Sequence, residues 1–303
     1  MNSVEFGFLA NPVSADFSEF SISPMDDHSA RLGWISATSN ADGFYYTPTV
    51  PTYEQNPSTN AEDRIVGRSE RPAQSYPLPS SHTLAVHNCL VQYPHVGNDE
   101  SLIIYALALI FGTRLQRSEW RFDGRVPIVR QDSFSITDST AVDFVLHTYR
   151  WWKDQSEDVR FRFISTLYSH TRASSIEFEW DSFPVHYMVF ESLFKLQTCL
   201  TPIATKGFTN HKSRFRYLLN KYNIAHNVDT VERLYKERNS LFHEALFASA
   251  PVGFATAGGN VHLLPMYLSR LNARLICCIV GYNNRFSRSG WDFFGWQLFD
   301  KAI

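Results

Sequence analysis

Arg238, Asn239 and His243 stand together in VERLYKERNSLFHEALF, residues 231–247. Their types suit proton transfer beside a negative charge. A guanidinium forks onto phosphate oxygens and offsets charge that develops in a transition state. An imidazole titrates near neutral pH and serves as general base or acid. An asparagine amide next to them orients the imidazole or holds a phosphate oxygen through hydrogen bonds.

The segment that must position them reads as a helix. At about 100° per residue, Val231, Leu234, Tyr235, Leu241, Phe242 and Ala245 all fall within roughly 60° of Arg238. The arginine is therefore predicted at the centre of an apolar stripe. Asn239 and His243, four residues apart, share a flank roughly 100–140° away. A charge centred in an apolar face is costly unless it is paired and hydrogen-bonded. Glu191, set between Tyr187, Met188 and Phe194 in HYMVFESLF, interrupts a second aromatic face and is the expected partner. On spacing alone, Arg238–Glu191 is equally a structural salt bridge, or Arg238 snorkels out of the core.

Other chemistries find less support. His243-Glu244 opens like a zinc-protease HExxH, but position 247 is Phe, so the second ligand is missing. ATAGGNVH (255–262) lacks the Lys-Ser/Thr ending of a phosphate loop, and no Gly-x-Ser-x-Gly elbow occurs. Cys89, Cys199, Cys277 and Cys278 have no metal-site spacing and read as reduced structural thiols. His82, His87 and His95 read as surface or structural residues. No metal or cofactor is expected. The basic run Lys212, Arg214 and Arg216, interleaved with Phe215 and Tyr217, suits an RNA backbone, or else a solvated helix face.

Two textures divide the chain. Residues 1–135 read as a β-rich domain with one buried helix. Runs such as EFGF, LGWISAT and FYYTPTVPTY suggest strands, 51–64 and 70–81 long surface loops, and 82–93 a further strand. NDESLIIYALALIFG (98–112) has an Asn/Asp start, early acids and a terminal Gly, which describe the one helix. Residues 114–129 return to a strand pattern with a turn at Asp123-Gly124. Residues 136–303 read as an all-α bundle. Its helices are expected at DSTAVDFVLHTYRWWKD, at 156–173 with Ser156 as cap, and at 181–200 with Ser182 as cap and Pro184 in the first turn. Further helices follow at 210–223, at 231–247 and, after a glycine-containing loop (251–260), at 262–283. The fold class is α+β.

Arg238-Asn239-x-x-x-His243, on a helix of such a bundle, resembles the active-site motif of the HEPN superfamily. The chain is most similar to the Apea-like HEPN group, whose members carry a non-helical region before the bundle. The similarity runs from about residue 140 to 285 and is marked by FESLF, KSRFRYLL, ERNSLFHEALF and LNARLICCIVGY. It implies a dimeric, metal-independent endoribonuclease that uses the RNA 2′-hydroxyl as nucleophile. His243 would act as base or acid, Arg238 on the phosphate, Asn239 as orienting group, with Glu191 fixing Arg238. It also implies a toxin or anti-phage (abortive infection) role, with residues 1–135 sensing a phage or host trigger. The alternatives are a non-catalytic HEPN module that binds nucleotide, RNA or a protein, and an adaptor whose bundle only dimerises.

Charge and hydropathy bound these readings. The net charge is −2, and it is uneven: residues 1–130 carry 9 Arg and no Lys against 14 acids, for −5, and the remainder carries +3. A phosphate-bearing partner sits more comfortably on the second part. The N-terminal MNSVEFGFLANPVSADF lacks a basic region followed by an apolar run, so a cytoplasmic protein is expected. LIIYALALIFG (102–112) is too short to cross a bilayer.

Overall fold

The computed structural model describes residues 3–54, 64–92, 97–129, 134–201, 208, 210–253, 263–292 and 297–302. The first part contains β1 (Ser3–Gly7), β2 (Ala15–Asp16), β3 (Phe20–Pro24), helix α1 (His28–Thr38), β4 (Phe44–Tyr45), β5 (Thr49–Glu54) and β6 (Arg64–Pro72). It continues through β7 (His82–Val86), helix α2 (Asp99–Phe111), β8 (Gln116–Arg117), β9 (Val126–Pro127) and β10 (Phe134–Ser135). The second part holds α3 (Asp138–Lys153), α4 (Glu157–Ala173), α5 (Glu179–Leu200), α6 (His211–Lys221) and α7 (Val228–Glu244). The short strands β11 (Leu246–Phe247) and β12 (Ala250–Pro251) precede α8 (Leu264–Ile279), α9 (Arg285–Arg288) and β13 (Gln297–Leu298). The fold is mixed α+β. No helix among the described residues is long and apolar enough to cross a membrane.

An antiparallel sheet in the order β2-β3-β7-β1-β8 forms the first layer. Its register sets Phe6 opposite His82 and Ile22 opposite Leu84. Alternation sends Val4 and Phe6 of β1, and Leu84 and Val86 of β7, into the core. Against them lies α2, with every residue but Glu100 buried. A helix apolar on all sides needs cover on all sides. It packs on the sheet through β7 and β8, and on the bundle through α3 and α4.

The change of texture at residue 135 is consequently no break in the packing. One hydrophobic cluster runs from Val4 through α2 to Phe299. Polar ties cross the same line. Asp99 accepts from Leu90 and Val91 amides and from the Tyr149 hydroxyl of α3, the last at 2.5 Å. Asp123 holds the buried Arg114 at 2.5 Å and Arg172 of α4 at 2.8 Å. Parallel pairing of β10 with β13 joins the last described strand to the start of the bundle.

Several sequence expectations need correction. LGWISAT is not a strand but most of α1, so the described residues of 1–135 hold two helices. That helix has no side-chain cap bond at Asp27 and no acid in its first turn, so the usual signals are missing. The expected loop at 51–64 begins in β5 and ends in β6, which pair with each other, and the one at 70–81 begins in β6; residues 55–63 lie outside the described set. Helix α5 starts two residues early, at Glu179. Ser182 donates to the Glu179 carbonyl rather than capping, and Pro184 sits inside the helix. The helix at 231–247 ends at Glu244. His82 is fully buried beside His28, their rings 5.1 Å apart, whereas His95 lies outside the described residues. Residues 254–260 of the glycine-containing loop also lie outside them.

Helices α2, α3 and α6 start where their caps place them, whereas Ser156, the expected cap of α4, makes no side-chain cap bond. Asn98, Thr137 and Asn210 each accept a backbone N–H three residues on, and Gly112 closes α2 in the left-handed conformation at φ 58°. Within the bundle α5 is the hub, packed on α4, α7 and α8.

Candidate active site

Helix α7 begins under the Asn227 side chain, which accepts from the Asp229 amide. Only its first half is rooted in the core: Thr230, Val231 and Leu234 are buried. Beyond them the stripe climbs out of the protein. Arg238 and Leu241 are half-buried, His243 is exposed, and Phe242 is 54% exposed. Met188, on neighbouring α5, is also 54% exposed.

The helix stops at Ala245, whose φ of 55° is left-handed. A two-residue turn at Ala248 and Ser249, both with positive φ, then pairs β11 with β12. Glu237 secures it by accepting the Ala248 amide at 2.7 Å. Burial pushes the Glu237 carboxyl up from its ordinary value, and the Ala248 hydrogen bond opposes that shift. This hairpin fixes the end of α7 that carries the motif.

At that end the three motif side chains meet. Arg238 Nη1 donates to Asn239 Oδ1 at 3.1 Å and approaches His243 Nε2 at 3.3 Å. Its guanidinium lies over the Phe242 ring, 5.0 Å from the centroid. The long arginine stem bridges the angular gap that separates these positions on the helix surface. A guanidinium only donates, so Nε2 accepts in this contact and the imidazole proton belongs on Nδ1. The arrangement joins a basic nitrogen, a fixed cation and an amide on an accessible surface.

Glu191 does not join them. One carboxylate oxygen meets His211 Nδ1 at 2.7 Å, and the other takes Arg214 Nη1. The expected Arg238–Glu191 pair is replaced by Glu191–Arg214. Arg214 of α6 reaches the carboxylate, and Arg238, near the surface, finds its partners within its own helix. Between the two clusters lies Tyr187, one turn before Glu191. Its ring is 5.6 Å from that of His211, and its buried hydroxyl has no hydrogen-bond partner among the described residues. Burial first, and the Glu191 charge next, push the Tyr187 phenol up, against the opposing pull of Arg238 and Arg214. Tyr187 is the residue that sequence reasoning passed over as part of an aromatic face; its spacing from Glu191 was the available signal.

The basic run divides likewise. Lys212 pairs with Glu232 at 2.6 Å and sits over the Tyr235 ring, at the edge of a surface groove that it also lines. Arg214 is committed to Glu191. Arg216 is exposed and lines a surface groove with Phe208, Tyr217 and Lys221. Of the three residues expected to meet RNA, Arg216 and Lys212 line this groove, and Arg216 is the exposed one.

These pairings lead to a first expected outcome. Glu191 is partly exposed, so its loss should cost about 1–2 kcal/mol, not the roughly 3–5 kcal/mol of a fully buried pair. A double-mutant cycle by urea unfolding should give Glu191 and Arg214 a coupling of about 1 kcal/mol, and Glu191 and Arg238 less than about 0.5 kcal/mol. Equal coupling to both arginines would contradict the pairing described here.

Comparison of the chain with protein-family models, with curated proteins and with solved structures finds no match.

Proposed function

We propose that this protein is a metal-independent endoribonuclease of HEPN type, cutting RNA by transesterification at the exposed end of α7. The observation that carries the reading is the contact of one arginine nitrogen with both Asn239 and His243. Residue chemistry supports it, as does the resemblance of the Arg-Asn-x-x-x-His spacing to that superfamily's motif.

In the resting site Arg238 occupies the lone pair of His243. An RNA phosphate entering the site competes for the guanidinium, because a charge-assisted fork to phosphate is stronger than a bond to a neutral ring. His243 Nε2 is then released as a base. It takes the proton of the 2′-hydroxyl, the 2′-oxygen attacks phosphorus, and the bond from phosphorus to the 5′-oxygen breaks. Arg238 offsets the charge on the phosphorane, and Asn239 holds the imidazole or a phosphate oxygen. The leaving 5′-oxygen needs a proton, and the His243 imidazolium formed in the first step returns the one it took, which regenerates the base. The products are a 2′,3′-cyclic phosphate and a 5′-hydroxyl.

Exposed Phe242 and Met188 beside the motif support a homodimer formed through this face of the bundle. A cytoplasmic toxin or anti-phage role, with the sheet region as sensor of a phage or host trigger, completes the proposal.

The test is incubation of the purified protein with total RNA in excess chelator, followed by analysis of the ends. Cleavage leaving 2′,3′-cyclic phosphates is the expected result. A 5′-phosphate, or cleavage that needs an added divalent cation, would show water or metal chemistry instead. No cleavage by the folded dimer would hand the site to the non-catalytic reading, a module that binds nucleotide, RNA or a protein.

A further inference from the structure

Three of the four non-glycine residues with positive φ among the described residues stand together, directly after the motif. They are Ala245 at 55°, Ala248 at 55° and Ser249 at 63°. The fourth, Asn223, is of a type that tolerates the left-handed region. Alanine and serine are not favoured there, because Cβ crowds the following carbonyl oxygen. Such backbone persists only where its surroundings over-determine it, and it clusters at functional sites.

The surroundings here are specific. The Ala245 amide donates to the Ser240 carbonyl, and the Val252 amide returns to the Ala245 carbonyl at 3.0 Å. Leu246 pairs with Pro251 and Phe247 with Ala250. Phe247 is buried against Phe183 of α5, with ring centroids 6.0 Å apart. A side chain of the helix itself completes the set. Glu237 Oε1 accepts the Ala248 amide at 2.7 Å, at the first of the two strained turn residues.

The motif depends on this segment. Arg238 Nη1 meets His243 Nε2 at 3.3 Å across five residues of helix, so the contact exists only while the last turn of α7 stays wound. That turn has little cover, since Phe242, His243 and Glu244 are exposed. A helix end without cover opens at small free-energy cost. The hairpin holds it closed and keeps Asn239 and His243 within reach of one guanidinium. Glu237 lies about 120° from His243 around the helix, and its carboxylate is turned to the hairpin rather than to Arg238.

We propose that Glu237 is a positioning residue for the endoribonuclease site: it clamps the strained hairpin onto α7 and so sets the distance between Arg238 and His243. The role rests on the activity proposed above. Arg238, Asn239 and His243 touch the reacting groups, and Glu237 acts through them. Val231 and Leu234 root the first half of α7, and Phe247 stays in the core, so loss of Glu237 frees the last turn without unfolding the bundle.

The experiment compares the full-length wild type with Glu237→Ala, Glu237→Asp and Glu237→Gln, by steady-state cleavage of a labelled RNA and by amide hydrogen exchange. Glu237→Asp keeps the charge but is one methylene too short for the Ala248 amide. Glu237→Gln keeps the reach and an acceptor oxygen without the charge. Glu237→Ala and Glu237→Asp should each lower kcat by about tenfold or more, with KM within about twofold of wild type, as expected of a misplaced base. Glu237→Gln should stay within about threefold of wild type in kcat, its neutral acceptor making a weaker bond. Exchange should rise from Ser240 to Val252 in Glu237→Ala and Glu237→Asp and stay unchanged from Val231 to Leu234. Should Glu237→Ala fail to fold, the contrast between Glu237→Asp and Glu237→Gln decides. Glu237→Asp as active as wild type, or Glu237→Gln as impaired as Glu237→Ala, overturns the proposal, because charge and not reach would then be the property used. Unchanged exchange from Ser240 to Val252 overturns it as well. A wild type that cuts no RNA sinks the nuclease reading, while exchange and the guanidinium NMR signal of Arg238 still decide whether Glu237 sets this contact.

Discussion

His243→Ala should lower the rate of RNA cleavage by about 10²–10⁴-fold, the usual worth of a positioned general base. Its melting temperature and oligomeric state should stay near wild type. The imidazole is exposed at the last turn of α7 and meets Arg238 Nη1 at 3.3 Å, so its removal leaves no cavity. Arg238→Ala should cost about 10²–10³-fold through lost charge stabilisation. It should also lower stability modestly, since the half-buried arginine stem covers Phe242 and orders Asn239. Arg238→Lys separates charge from geometry: a single ammonium cannot fork onto two phosphate oxygens as a planar guanidinium does, so it should rescue little. The measurement is single-turnover cleavage of a labelled RNA, with thermal melts run on the same samples. His243→Ala cutting as fast as wild type would remove the imidazole from the mechanism.

Acid should unfold the protein steeply. Burial holds His82 and His170 at about 4 and His186 at about 3, against an ordinary value near 6.5. The sign follows from proton counting. Between pH 6.5 and 4 the unfolded chain binds these three protons and the native chain does not, so stability falls as pH falls through that window. Each group contributes about 1.4 kcal/mol per pH unit, and the three together about 4 kcal/mol per unit. A whole domain has only about 5–15 kcal/mol to lose. Helical ellipticity should therefore collapse between roughly pH 6 and 4, with a slope near three protons. His186→Phe should lower that slope by one. Ellipticity preserved to pH 4 would mean that these rings protonate without unfolding.

Legibility in the sequence followed the locality of the signals. Helices α2, α3 and α6 announce themselves because their caps are side chains within four residues of the ends they close. Helix α1 does not, because it lacks a side-chain cap and owes its place to Ile35 in a small cluster with Phe8 and Tyr45. The hairpin after α7 is hidden for another reason. Ala248 and Ser249 adopt positive φ without the glycine or asparagine that usually marks such a turn. Of the candidate site, the helix and its three motif residues were legible. Their convergence was not, since a helical wheel places Cβ directions and says nothing of where a six-atom arginine arm ends. The partner of Glu191 was missed because two arginines compete for it, and only packing of α6 against α7 and α5 decides between them.

The all-round burial of α2 has a consequence for synthesis. The ribosome delivers this helix before any of α3 to α8 exists. The strands β1, β3 and β7 are available to cover one side, but Leu102 to Phe111 present apolar surface on the others until more than sixty further residues have emerged. At the usual pace of about 5–20 residues per second, that leaves a naked hydrophobic helix for several seconds on every nascent chain. Folding of the N-terminal part cannot finish on its own, and a chain truncated before α4 keeps this surface exposed. The nascent protein is therefore a natural client for chaperones that hold apolar segments near the ribosome exit.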